Sequence, residues 1–184
     1  RRALEPLAAL EKSGRWVQLK DRVEKSRKSY AGIAAFADTT RAWDATMQGK
    51  TGSAIFAADK LACEGFYGKA QSALQPALAS SEDARLASVA QAVAERIAAA
   101  AKETVARWET LEKAGEWHGL KKDLDGAQER FRGIAVVDEK AQALDAALKS
   151  DAGRALIEAH RLLTDGAFGP ALTALAPALA ESAP

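Results

Sequence analysis

The chain has one cysteine, Cys63, so an intramolecular disulfide is excluded and a metal site built on cysteines has nothing to start from. Five prolines in 184 residues leave long stretches free to run as helix. An excess of charge of one sign is also missing: Lys and Arg number 26, Asp and Glu 25, and the net charge is +1. There is thus no bulk electrostatic case for nucleic acid or for an anionic membrane surface. No run of 18 apolar residues occurs, and the alanine-rich stretch 84–101 carries Arg85, Glu95 and Arg96, so membrane insertion is not expected. Absent too are a Ser-His-Asp order, a phosphate-cradling glycine loop and a His-Glu-x-x-His helix. The chain is therefore read as non-enzymatic, and no catalytic, cofactor-binding or metal site is assigned.

What is present is helical. Apolar residues make up 48% of the chain, many of them alanine, and charged residues 28%. That is the composition of an all-α protein whose helices approach closely. One motif recurs four times: Leu10…Gly14-Arg-Trp16, Leu61…Gly65-Phe-Tyr67, Leu111…Gly115-Glu-Trp117 and Leu162…Gly166-Ala-Phe168. Each glycine is placed just past a helix end, where positive φ is needed. The leucine four residues earlier is positioned to pack across the turn, and the aromatic two residues later opens the next helix.

These turns belong to a larger repeat. With a shift of about 101 residues, 7–83 overlays 108–184 without a gap, at roughly one identity in three. Gly14, Trp16, Leu19 and Lys20 meet Gly115, Trp117, Leu120 and Lys121, and Gly65, Gly68, Ala70, Leu74 and Pro76 meet Gly166, Gly169, Ala171, Leu175 and Pro177. The reading predicts ten helices in two similar five-helix units, residues 1–81 and 82–184. The helices are expected over 1–13, 15–31, 37–48, 53–64, 66–79, a long connecting helix to about 114, then 116–132, 137–149, 152–164 and 167–181. Ser80-Ser81-Glu82-Asp83 supplies the cap and first-turn acids of the long helix, and residues 49–52 a break between two helices.

The segment Leu61-Ala-Cys-Glu-Gly-Phe-Tyr-Gly-Lys-Ala70 resembles the turn and second-helix start of tetratricopeptide (TPR) hairpins, and 162–171 resembles it too. That resemblance implies tandem helical hairpins, TPR-like, that present a binding surface to a protein or peptide. The order of Gly-x-Trp, an aromatic near Tyr30 or Phe131, and Ala-Leu-Asp also looks like helical extensions of thioredoxin-like domains in exported bacterial proteins. By that likeness this chain is the appendage and not the redox module, since it has no Cys-x-x-Cys.

The remaining candidates are few. His118 and His160 are the only histidines, and their repeat partners are Val17 and Asp59. They read as surface or boundary residues more readily than as metal ligands or a general base. Cys63 is expected to be an inert, half-buried thiol. The four tryptophans are expected in the core, because Trp43, Trp108 and Trp16 match Leu144, Leu7 and Trp117. The mixed-charge run 20–28 reads as a solvated helix face around Val23. The leading expectation is a non-enzymatic interaction or scaffold module without a cofactor. The alternatives are an accessory helical domain of a larger exported thioredoxin-like redox protein and, behind it, a small-ligand carrier. The chain opens on Arg1-Arg2 in mid-pattern, as a mature fragment or excised domain would. One cysteine does not fix the compartment, and export to a periplasmic or extracellular space fits the accessory-domain alternative.

Overall fold

The computed structural model describes residues 4–80 and 83–181. Among these the chain forms ten α-helices and no strand: α1 (Glu5–Lys12), α2 (Trp16–Ser29), α3 (Ala34–Gln48), α4 (Lys50–Cys63), α5 (Tyr67–Ser80), α6 (Ala84–Ala114), α7 (Trp117–Phe131), α8 (Ala135–Lys149), α9 (Asp151–Thr164) and α10 (Phe168–Glu181). None of them is long and apolar enough to cross a membrane.

The four glycine turns form by one mechanism. Gly14, Gly65, Gly115 and Gly166 have φ of 68°, 85°, 72° and 76°. The amide after each glycine donates back to the carbonyl of the leucine four before it: Arg15 to Leu10 at 3.0 Å, Phe66 to Leu61 at 2.9 Å, Glu116 to Leu111 at 2.9 Å and Ala167 to Leu162 at 2.8 Å. Each glycine's own amide reaches the carbonyl three residues back, as Gly14 does to Glu11 at 3.0 Å. This paired closure satisfies carbonyls that a bare helix end would leave open. The leucines therefore act through their backbone as well as their half-buried side chains. Trp16, Tyr67, Trp117 and Phe168 are the first residues of the helices that follow.

The break expected over 49–52 is in fact one residue. α3 passes into α4 through Gly49 alone (φ −64°, ψ 156°), and α8 into α9 through Ser150 (φ −62°, ψ 163°). The first turn of α4 then lies directly on the end of α3. A Cβ on Gly52 would stand 1.9 Å from the Thr46 carbonyl oxygen, and one on Gly153 2.2 Å from that of Ala147. Two helices can meet at so sharp a corner only where the second helix has no side chain. Helices α3 and α8 also start earlier than expected, at Ala34 and Ala135, because Ile33 and Ile134 are already extended and serve as the entry residues.

The long helix α6 is preceded by Asp83, whose carboxylate accepts from the amides of Arg85 (2.8 Å) and Leu86 (3.3 Å). Part of the expected cap, Ser81 and Glu82, lies outside the described residues. Pro76 and Pro177 sit inside α5 and α10, which continue through them.

Packing divides the chain into two compact units, one up to Ala100 and one from Ala101. The sequence-based boundary at 81/82 falls ahead of α6, whereas this division lies within it. In unit 1 the core is built from Leu7, Trp16, Leu19, Val23, Phe36, Trp43, Ile55, Leu74, Val89, Val93 and Ile97. In unit 2 it is Trp108, Leu120, Leu124, Phe131, Ile134, Val137, Leu144 and Leu148. Helix α4 pairs closely with α5, and α9 with α10. Their buried residues include many alanines: Ala58, Ala62, Ala70 and Ala77 in the first pair, Ala155, Ala159, Ala171 and Ala178 in the second. Small side chains there allow close helix approach at little cost in rotamer entropy.

Candidate interaction surface

In unit 1 one buried carboxylate ties three elements together. Asp59 on α4 is fully buried. It accepts the amide of Val17 in the first turn of α2 at 2.8 Å and Nη1 of Arg96 on α6 at 2.8 Å. The same Nη1 donates to the carbonyl of Gly14 at 3.0 Å. A helix N-terminus favours a negative charge, so a carboxylate from a neighbouring helix satisfies α2 where its own entry residue, Arg15, makes no side-chain cap. The first half of α6 lies on this junction: a Cβ on Gly14 would meet Val93 Cγ2 at 2.6 Å, and Val89, Ala90, Val93 and Ile97 are buried. Residues 84–100 thereby close this side of unit 1.

The thiol of Cys63, one turn beyond Asp59, donates to Asp59 Oδ1 at 3.8 Å. Cys63 is exposed, which corrects the half-buried placement expected from sequence. Desolvation of the sulfur, followed by the Asp59 charge, pushes its pKa above the ordinary thiol value. A raised pKa disfavours the thiolate, the reactive form.

Unit 2 presents the matching positions differently. His160 stands where Asp59 does in the overlay; it is half-buried, and its Nδ1 is buried without a hydrogen-bond partner. A Cβ on Gly115 would meet only Trp117 Nε1, at 3.9 Å, among the described residues. Trp117, Leu156 and Leu175 are half-buried, whereas their counterparts Trp16, Ile55 and Leu74 are buried to within 1%. On α10, Phe168, Leu172 and Leu179 are 69%, 71% and 66% exposed. With Leu175 they are spaced four, three and four residues apart, which places them on one helical stripe. No charged residue lies between Phe168 and Leu179. Single exposed leucines are ordinary on a protein surface, but an aligned set is not.

The other residues singled out from sequence are accounted for without a reactive site. His118 is exposed on α7. Among the described residues no three His, Cys, Asp or Glu converge as a metal would need. Trp16, Trp43 and Trp108 are buried, and each indole N–H has an acceptor: the Glu11 carbonyl at 3.3 Å, Glu11 Oε2 at 2.8 Å and Asp123 Oδ2 at 2.7 Å. Trp117 departs from the core placement expected of it. In the run 20–28 Val23 is buried and the charges are exposed. Gly65 and Gly68 flank the start of α5. A polar groove of about 500 Å³ beside α7 and α8 is lined by Asp125, Glu129, Asp138 and Asp145. Three of these acids are engaged within the fold: Asp125 by Lys121, Asp145 by Lys149 and Asp138 by the Gly133 amide.

The stripe on α10 is the surface that the sequence alone does not single out. Its signal lies in the four-three-four spacing and in the lack of charge across 168–179, but an apolar stripe alone does not say whether it faces a core or water. Compared with known proteins, the chain matches no family model, no curated protein and no solved structure.

Proposed function

We propose that this chain is a non-enzymatic protein-interaction module made of two similar sets of TPR-like helical hairpins, and that its contact surface is the outer face of α9 and α10. The observation that carries the reading is the exposed stripe Phe168, Leu172 and Leu179 on a helix face without charge. Holding a large apolar side chain in water forgoes about 1.5–3 kcal/mol relative to burial, so three on one stripe favour association with a partner. Supporting the duplication, α8, α9 and α10 have the bounds of α3, α4 and α5 displaced by 101 residues, and the glycine turns and glycine corners fall at matching positions. Stacked helical hairpins bury one another's open faces, and a face left open is where such arrays bind. That last step is an analogy from architecture.

The test is a photo-crosslinking amino acid at position 168, introduced into the chain in the cells that make it. Discrete protein adducts are expected at 168, lost when Leu172→Asp is added to a chain that still folds by circular dichroism. Adducts that persist unchanged with Leu172→Asp, or no adduct at all, would contradict the reading.

A further inference from the structure

We infer that the exposed face of α10 pairs with the same face of a second copy of this chain, antiparallel about a two-fold axis, in a weak and reversible dimer. The inference rests on the interaction-module reading and names its partner.

Helices α5 and α10 differ on their outer sides. In unit 1 that side carries Lys69, Gln71 and Gln75, all exposed. They are exposed although the first half of α6 is folded onto unit 1, so a helix in the place of α6 does not cover them. At the overlaid positions α10 has Pro170, Leu172 and Ala176, also exposed. A surface suited to water in one unit thus lacks side-chain polar atoms in the other. Thr173 has the single hydroxyl between 168 and 179, and it already donates to the Gly169 carbonyl at 3.3 Å. A polar or charged partner side chain placed here would lose its water and find no side chain to replace it. The covering face is therefore apolar and uncharged.

The spacing of the stripe points to a copy of itself. Phe168, Leu172, Leu175 and Leu179 stand four, three and four residues apart, an order that reads the same in both directions. An antiparallel copy sets Phe168 opposite the second copy's Leu179 and Leu172 opposite its Leu175. Each pairing then occurs twice about the axis, as a self-complementary interface requires. Alternate spacings of four and three are also those of the seam between two helices packed at a shallow angle. No charge lies between 168 and 179 and the whole chain carries only +1, so two copies meet without appreciable repulsion.

Area sets the strength. α10 has 14 residues. At 1.5 Å per residue and a width near 10 Å, each copy offers roughly 200 Å² in outline. The pair falls well short of the ~1,200 Å² at which stable interfaces begin, which makes the dimer one of tens of micromolar. The stripe is accordingly bare in dilute solution and covered when the chain is concentrated.

Sedimentation velocity of the whole chain, from about 5 to about 500 µM, tests this. The native chain should pass from 19.4 kDa to twice that mass across the series. Leu172→Asp should remain monomeric throughout, while Gln71→Asp, at the overlaid position of unit 1, should dimerise as the native chain does. Phe168→Lys and Leu179→Asp should each be monomeric alone and should form a dimer when mixed, because the antiparallel register brings the two changed positions together. Circular dichroism checks the fold of every variant, and the mixed pair replaces Leu172→Asp should that one unfold. A native chain monomeric throughout, a dimer that survives Leu172→Asp, or a mixture that stays monomeric would overturn the inference. Adducts at position 168 with other proteins, from a chain that never dimerises, would keep the interaction reading and remove this one.

Discussion

Arg96 on α6 uses a single nitrogen, Nη1, to reach two acceptors: Asp59 Oδ1 at 2.8 Å and the Gly14 carbonyl at 3.0 Å. The contact locks the covering helix to both the turn beneath it and the helix behind that turn. Asp59 is fully buried, while the Arg96 side chain keeps 33% exposure. The two ends of the pair should therefore respond unequally to mutation.

Asp59→Ala should destabilise unit 1 by about 3 kcal/mol, since it leaves the part-exposed Arg96 guanidinium and the Val17 amide without their shared acceptor. Arg96→Met should cost less, because the Val17 amide still donates to the Asp59 carboxylate and the Arg96 end of the pair is part-exposed. Replacing both, as Asp59→Leu with Arg96→Met, should recover part of the loss. Urea denaturation followed by tryptophan fluorescence measures all three. Equal and small effects would show that the pair is incidental.

Gly14→Ala and Gly115→Ala separate conformation from crowding. Both residues are at positive φ, which disfavours an L side chain by about 1 kcal/mol. At Gly14 the added Cβ also meets Val93 at 2.6 Å and the Val89 carbonyl at 3.2 Å, while Gly115 has space around it. The expected losses are about 1 kcal/mol at 115 and roughly 2–4 kcal/mol at 14. Thermal or urea unfolding of the two variants decides it, and a neutral result at both would remove the turn assignment.

At the glycine corners, Gly52→Ala and Gly153→Ala should each destabilise by about 2 kcal/mol or more. Alanine would otherwise help, because it is the better helix former by about 1 kcal/mol. The expected sign is set by the carbonyl oxygens, which lie 1.9 Å and 2.2 Å from where the added methyl groups would stand. Stabilisation at either site would mean that the helices meet less closely than described.

Cys63 is exposed, yet its pKa lies above the ordinary thiol value, with burial of the sulfur the larger cause and the Asp59 charge the next. Its alkylation by iodoacetamide near neutral pH should accordingly be slower in the folded chain than in urea. The folded rate should catch up only as pH rises through the elevated pKa. Asp59→Asn should speed the folded reaction if that variant remains folded. A folded thiol that reacts faster than the unfolded one would reverse the sign of the assignment.

The turns are legible in the sequence because each uses a chemically singular residue. Gly14, Gly65, Gly115 and Gly166 carry a leucine four before and an aromatic two after, and positive φ leaves few alternatives to glycine. The corners at Gly52 and Gly153 are not legible in the same way, since a glycine inside a helix leaves no periodic trace. Their matching positions in the overlay are the available clue. Asp59 and Arg96 are 37 residues apart on different helices, and nothing local marks them as partners. The replacement of Asp59 by His160 is visible in the overlay, but only the folded packing reveals that one is satisfied and the other is not. Cys63 and Trp117 depart from expectation for a shared reason. Burial in a helical array depends on which neighbour lies over a face, and residue type does not record that.

The most direct test of the account is hydroxyl-radical footprinting of the native chain, at a concentration where it is monomeric, read by peptide mass spectrometry at paired positions. Trp16 and Leu74 should be protected, while Trp117, Leu175, Phe168, Leu172 and Leu179 should be oxidised readily. Equal protection of Trp16 and Trp117, together with a protected α10 stripe, would contradict the claim that one unit is closed by its own helix and the other presents an open face.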